Sequence, residues 1–229
     1  MPTIANRACS LSILGLFVAV AAGCSSMPSI PMLGREKPDV VPGVVPPSQR
    51  MTELQKLREG AGAMSPEQKA GVAAQLADQI AKETDASIRA DIVRTLADYP
   101  SDQGRRILRS ALQDADRNVR LAACEAWGQA RGSEAVELLG EALTSDSDVD
   151  VRLAAAKALG QTGDPAAAAA LAPALADSDP AMQYRATISL RQVTGKDLGT
   201  VAAWRNHLHQ AAAPDSRPTA VAERPRATF

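Results

Sequence analysis

Asp148 to Gly163 reads DVDVRLAAAKALGQTG. With Val151 as position 0, the phrase recurs around Ile88, Val119 and Met182, at spacings of 31, 32 and 31 residues. Three residues before each anchor stands an aspartate: Asp85, Asp116, Asp148 and Asp179. Eight residues after it stands a large apolar residue, Leu96, Trp127, Leu159 or Leu190. Twelve or thirteen after it comes a helix breaker, Pro100, Gly132, Gly163 or Gly195. A period of about 30 residues marks a protein built from stacked units, none of which can bury its apolar side alone.

Within each copy, positions 0, +4, +7 and +8 fall on one stripe of a 3.6-residue helix. In the third copy these are Val151, Ala155, Ala158 and Leu159. Small residues at +4 and +7 let a neighbouring helix come close. The recurring aspartate is placed to accept from the first free N–H groups of the helix and to meet its positive end. Partner helices are expected between these copies. Ser65 opens one to about Lys82, with Pro66 in the first turn and Gln68 closing a capping box. Others are expected over Gln103 to Gln113, Glu134 to Leu143 and Pro165 to Ala176. The predicted fold is therefore all-α, a solenoid of about four antiparallel helix pairs spanning residues 51–210 with capping helices at its ends. Thr52 to Glu59 would close the front, and a helix from Thr200 to about Gln210, carrying Trp204, would close the back. Ala211 to Phe229 lacks any period and is expected to be a frayed tail.

The phrase Asp-x-x-Val-Arg-x-x-Ala-Ala-x-Ala-Leu-Gly, present from Asp148 to Gly160, resembles the second helix of a HEAT repeat. It is similar to the short bacterial variety also found in phycobilin lyases, and the resemblance covers about residues 65 to 195. Such repeats serve many tasks. The resemblance thus implies a fold and a protein- or peptide-binding surface, and specifies no activity.

The amino terminus has its own logic. Leu11 to Ala22 is a continuous apolar run behind Arg7. At about 12 residues it is shorter than the roughly 20 that span a bilayer and has the length of a signal-peptide core. Ala21-Ala22-Gly23-Cys24 follows. It resembles the lipobox of bacterial lipoproteins, with Ala21 where Leu is usual. That resemblance implies removal of residues 1–23, acylation of Cys24, and a place in the cell envelope on a membrane, the outer one in a Gram-negative cell given Ser25 after the cysteine. The stretch 24–50 is rich in proline and lacks a helical period, as expected of a tether reaching up to about 80 Å when extended.

Composition narrows the function. The 229-residue chain has a formal net charge of -1, leaving no strong positive field for nucleic acid. No phosphate-binding glycine loop, Cys-x-x-Cys or His-Glu-x-x-His occurs, so no catalytic residue, metal or cofactor is nominated and the chain is not expected to be an enzyme. His207 and His209 point to nearly opposite sides of a helix and cannot grip one metal together. Cys124, at +5 of the second copy, is expected to be a small buried hydrophobe. The arginines at +1, Arg89, Arg120 and Arg152, form a ladder that Gln183 ends. They are expected to bond an aspartate such as Asp116, Asp148 or Asp179 on a neighbouring repeat; their alternative role is a basic stripe on the concave face for an acidic partner. The function expected is that of an exported, lipid-anchored adaptor or scaffold for a protein partner. A structural envelope component without a discrete ligand is the alternative, and a lyase-type enzyme a more distant one.

Overall fold

The computed structural model describes residues 45–212. The expected signal sequence, Cys24, most of the expected tether and residues 213–229 lie outside the described residues. Eleven α-helices and one short 3-10 turn make up the described part. No helix among the described residues is long and apolar enough to cross a membrane.

Four hairpins carry the array. Helices α2 (Pro66–Ile80) and α3 (Ala86–Leu96) form the first, α4 (Asp102–Ala111) and α5 (Arg117–Gln129) the second, α6 (Ser133–Ser145) and α7 (Val149–Gln161) the third. In the fourth, the short helices α8 (Ala167–Ala170) and α9 (Ala172–Leu175) precede α10 (Pro180–Thr194). Helices α3, α5, α7 and α10 pack side by side in one row, and their partners form the other. Helix α1 (Pro47–Gly60) extends the first row by packing on α3, whereas α11 (Val201–Ala212) extends the second by packing on α9 and α10.

The stripes behave as their periodicity requires. Ile88, Ile92, Leu96, Val119, Ala123, Trp127, Val151, Ala155, Leu159, Met182, Ala186 and Leu190 are all buried in one continuous core. Each predicted aspartate caps its helix: Asp85 accepts from Ser87 N at 2.8 Å, Asp116 from Asn118 N at 2.8 Å, Asp148 from Asp150 N at 2.9 Å and Asp179 from Ala181 N at 2.8 Å. Ser65 and Gln68 form the expected capping box. Gly195 ends α10 in the left-handed region at φ 68°, donating to Arg191 O.

Two expectations need correction. The helix expected from Pro165 to Ala176 is broken at Leu171 into α8 and α9. Pro173 has no N–H to give Ala169 O and its ring crowds that carbonyl, so the ladder restarts beyond it. The front cap is longer than Thr52 to Glu59: α1 begins at Pro47, inside the stretch assigned to the tether. Proline is preorganised for the first helical position and does not exclude a helix there.

The row of second helices is tightly apposed at glycine. A Cβ on Gly160 would lie 2.9 Å from Ser189 Cα, and one on Gly128 would lie 3.1 Å from Ala158 Cα. Backbone cannot retreat as a flexible side chain can. Gly160→Ala is therefore expected to lower stability by about 1 kcal/mol net, overpacking outweighing the gain in helix propensity. Gly71→Ala in α2, with open space around the added methyl, is expected to raise it by about 0.8–1 kcal/mol. Urea unfolding of the two variants checks this opposition of sign.

Candidate functional site

The loops joining the helices of each hairpin share an acid-x-Asp motif: Glu83-Thr84-Asp85, Asp114-Ala115-Asp116, Asp146-Ser147-Asp148 and Asp177-Ser178-Asp179. The second acid caps the following helix. The first accepts from the backbone N–H of the second, at 2.9 Å for Asp114 and 2.8 Å for Asp146 and Asp177. It is also this first acid that receives the arginine of the preceding repeat. Arg89 Nε donates to Asp114 Oδ2 at 3.0 Å and Nη2 to Oδ1 at 2.8 Å. Arg120 makes the same two-pronged contact with Asp146, at 2.8 and 3.2 Å. The expected partners Asp116, Asp148 and Asp179 are thus displaced by two residues, because their oxygens are committed to helix caps. Arg152 donates to Asp146 O at 3.0 Å and lines a small cavity with Asp177, with no acid bonded to it among the described residues. Gln183 donates to Asp177 O at 2.6 Å, keeping the backbone half of the contact where no further repeat supplies an acid.

Sequence reasoning missed the first rung. Arg50 of α1 pairs with Glu83. Its signal was positional: Arg50 lies four residues beyond the cap residue Pro46, as Arg89 lies four beyond Asp85. Arg120 and Asp146 have side chains only 14% and 8% exposed, so these guanidinium groups serve the stack and are not presented to solvent. The Arg89 hydrogen bond, helped by the Asp116 N–H, holds the Asp114 carboxyl below its ordinary 3.8 against the opposing effect of burial. A carboxyl depressed in the folded state contributes stability above its unfolded pKa and loses it as pH falls through the folded one. The stability gap between wild type and Asp114→Asn is accordingly expected to narrow as pH drops below about 4, which urea midpoints measured between pH 2 and 6 would show.

The open surface of the array lies on the row of second helices, from α5 onward. On α3, against which α1 packs, Asp91 is buried and pairs with Arg94 at 3.0 Å. Arg94 also reaches Glu125 on α5 at 3.2 Å. Beyond this pair two cavities adjoin. One of 500 Å³ runs between α5 and α7, with Glu125, Gln129, Lys157 and Gln161 along it. The other, of 280 Å³, runs between α7 and α10, with Leu153, Lys157, Tyr184 and Arg185. Tyr184 is 67% exposed. These residues sit at +2, +3, +6 and +10 of their copies, off the core stripe, where the repeat pattern imposes no residue type. The three arginines expected to form a binding stripe stand at the loop edge of the array instead.

The remaining candidates are dispersed. Cys124 is fully buried, and burial pushes its thiol up to about 12. His207 lies edge-on to Trp204 with ring centres 6.1 Å apart, and its Nε2 is 3.2 Å from Lys196 Nζ. Among the described residues no three His, Cys, Asp or Glu side chains gather as a metal site would require.

A model of HEAT repeats matches residues 73–152, 108–191 and 136–221. The chain belongs to the HEAT-repeat family. This HEAT-repeat chain is also similar in structure to human deoxyhypusine hydroxylase in complex with glycerol, at 21% identity and a TM-score of 0.48. The match covers 54% of this chain and 44% of that one, so the chain spans less than half the length of that structure. No curated protein matches it by sequence.

Proposed function

We propose that this HEAT-repeat chain is an exported lipoprotein of the bacterial cell envelope, acylated on Cys24, that binds a protein or peptide partner along the open face of α5, α7 and α10. The reading rests chiefly on the two adjoining cavities of 500 and 280 Å³ on that face. They combine an exposed tyrosine and apolar Leu153 with three cations, Arg131, Lys157 and Arg185, against one acid, Glu125. Such a surface suits a protein segment that carries both apolar and acidic side chains. An aromatic side chain of this kind at the centre of a patch is the type that dominates interface energetics.

A photocrosslinker placed at residue 184 of the full chain in intact cells tests the face. A single stoichiometric partner is expected, with affinity reduced at least tenfold by Tyr184→Ala in the purified pair. Equal crosslinking from residue 169, on the other row, would defeat the assignment. The address has its own support in the apolar run from Leu11 to Ala22 followed by Ala-Ala-Gly-Cys. Several acyl chains, each methylene contributing about 0.8 kcal/mol, would hold the protein on a bilayer. Cys24→Ala is expected to move it to the soluble fraction with its signal uncleaved. Unchanged membrane fractionation would refute the lipid anchor.

A further inference from the structure

The open face repeats one polar side chain. Position +10 is Gln129 on α5, Gln161 on α7 and Gln192 on α10, the three helices that form that face. Neighbouring off-core positions have diverged. Position +2 holds Leu121, Leu153 and Tyr184, and +6 holds Glu125, Lys157 and Ile188. Shared origin of the repeats would not keep one such position and release the others. Packing does not require the glutamines, since all three are exposed. Local hydrogen bonding does not require them either. Gln49, Gln55 and Gln183 spend their amides on Glu53, Glu59 and the Asp177 carbonyl, whereas the three amides at +10 make no hydrogen bond among the described residues.

The row runs across the helices. A Cβ on Gly128 would lie 2.9 Å from Gln161 Oε1, and one on Gly160 would lie 2.6 Å from Gln192 Oε1. Both amides thus lie over the glycine at +9 of the preceding helix, and Gln129 and Gln161 line the same cavity of 500 Å³. Successive rungs are separated by the spacing of packed helices, about 8–10 Å. A polyproline-II chain presents the same side every three residues, or about 9.3 Å. A β-strand does so every two, or about 6.7 Å. The helix spacing matches the first and not the second. A polyproline-II backbone also has no internal hydrogen bonds, and a glutamine amide offers donors to its carbonyls and an acceptor to its N–H groups. We infer that this face takes its partner as a polyproline-II segment laid across α5, α7 and α10, with its main chain hydrogen-bonded at every third residue by Gln129, Gln161 and Gln192. The inference rests on the reading of this face as the protein-binding one, and it adds the partner's conformation and the means of grip. The amides hold the main chain whatever its side chains. Lys157 and Arg185 then select acidic residues, and Leu153 and Tyr184 select apolar ones.

The test measures binding of fluorescein-labelled (Asp-Leu-Pro)4 to the full chain by anisotropy. Saturable binding is expected. The triple variant Gln129→Met, Gln161→Met and Gln192→Met removes the amides at similar helix propensity and should bind about tenfold more weakly or worse, with an unchanged urea midpoint. Esters in place of the Asp–Leu amides remove N–H donors and weaken the carbonyl acceptors. They should weaken binding to wild type about tenfold and hardly affect what remains in the variant, a coupling that a structural role for the glutamines would not produce. (Asp-Leu-Val)4, whose valines favour a strand, should bind wild type about tenfold more weakly. The ester and valine peptides need only wild type, so they decide even where the variant is unstable. No binding of (Asp-Leu-Pro)4, equal binding of its ester, or equal or tighter binding of the valine peptide would overturn the inference. The reading of the face fails differently. A partner crosslinked from residue 184 equally well in wild type and triple variant leaves the face standing and refutes the polyproline-II grip, whereas no crosslinked partner in wild type refutes the face itself.

Discussion

Replacing Asp146 by alanine is expected to destabilise the array by about 3 kcal/mol, near the value for breaking a buried ion pair by removing one partner. Three interactions go at once. Arg120 Nε and Nη2 lose both acceptors, and Asp148 N loses the oxygen 2.8 Å away that shaped its loop. The Arg120 charge is then left at a site where its side chain is 14% exposed. Asp150→Ala provides the control. Asp150 is 52% exposed and meets an equally exposed Arg117 at 3.2 Å, a contact expected to contribute less than about 0.5 kcal/mol. Urea unfolding of both variants separates the two kinds of pair. A similar loss in both would mean that the rung between repeats contributes no more than a surface contact.

Trp204→Ala is expected to have an effect of about 3–5 kcal/mol, confined to one end of the array. Trp204 is 1% exposed on α11, where it covers the open end of the core beside α10. Besides Trp204, α11 is held by Arg205, which donates through Nε to Leu175 O at 3.0 Å. In a stack whose units contact only their neighbours, damage at one end travels poorly to the other. Hydrogen exchange should therefore accelerate in α11, α9 and α10, with little change in α3. Uniform acceleration throughout would show that the four hairpins unfold as one cooperative unit.

Legibility in the sequence followed the strength of the physical constraint. The second helices were readable because positions 0, +4, +7 and +8 must all be buried, and a breaker follows each copy. Their caps were readable because an aspartate before such a stripe has one obvious task. The pairing of the arginines was not. Two acids stand two residues apart in each loop, and pattern alone does not say which one caps and which one bridges. The loop decides: the second acid meets the helix N–H groups, leaving the first turned back toward the preceding repeat. Helix α1 was partly hidden because three prolines, Pro42, Pro46 and Pro47, gave its approach the composition of a spacer. The break at Leu171 was obscured by an alanine-rich run whose propensity favours an unbroken helix. The surface between α5 and α10 was illegible for the opposite reason, since solvent-facing positions of a repeat are under no packing constraint. Trp127 could be read as core at once, but only coordinates show that its N–H lacks a partner.

The bridging loops bear on how this molecule can change size. Excising residues 116–147 would join Ala115 directly to Asp148, restoring the three-residue connection with Asp114 still opposite Arg89. No joint chemistry would need reinvention, because the cut ends carry the same terminals as the ones removed. A chain assembled from such interchangeable cassettes can lengthen or shorten by whole modules through simple genetic duplication or loss.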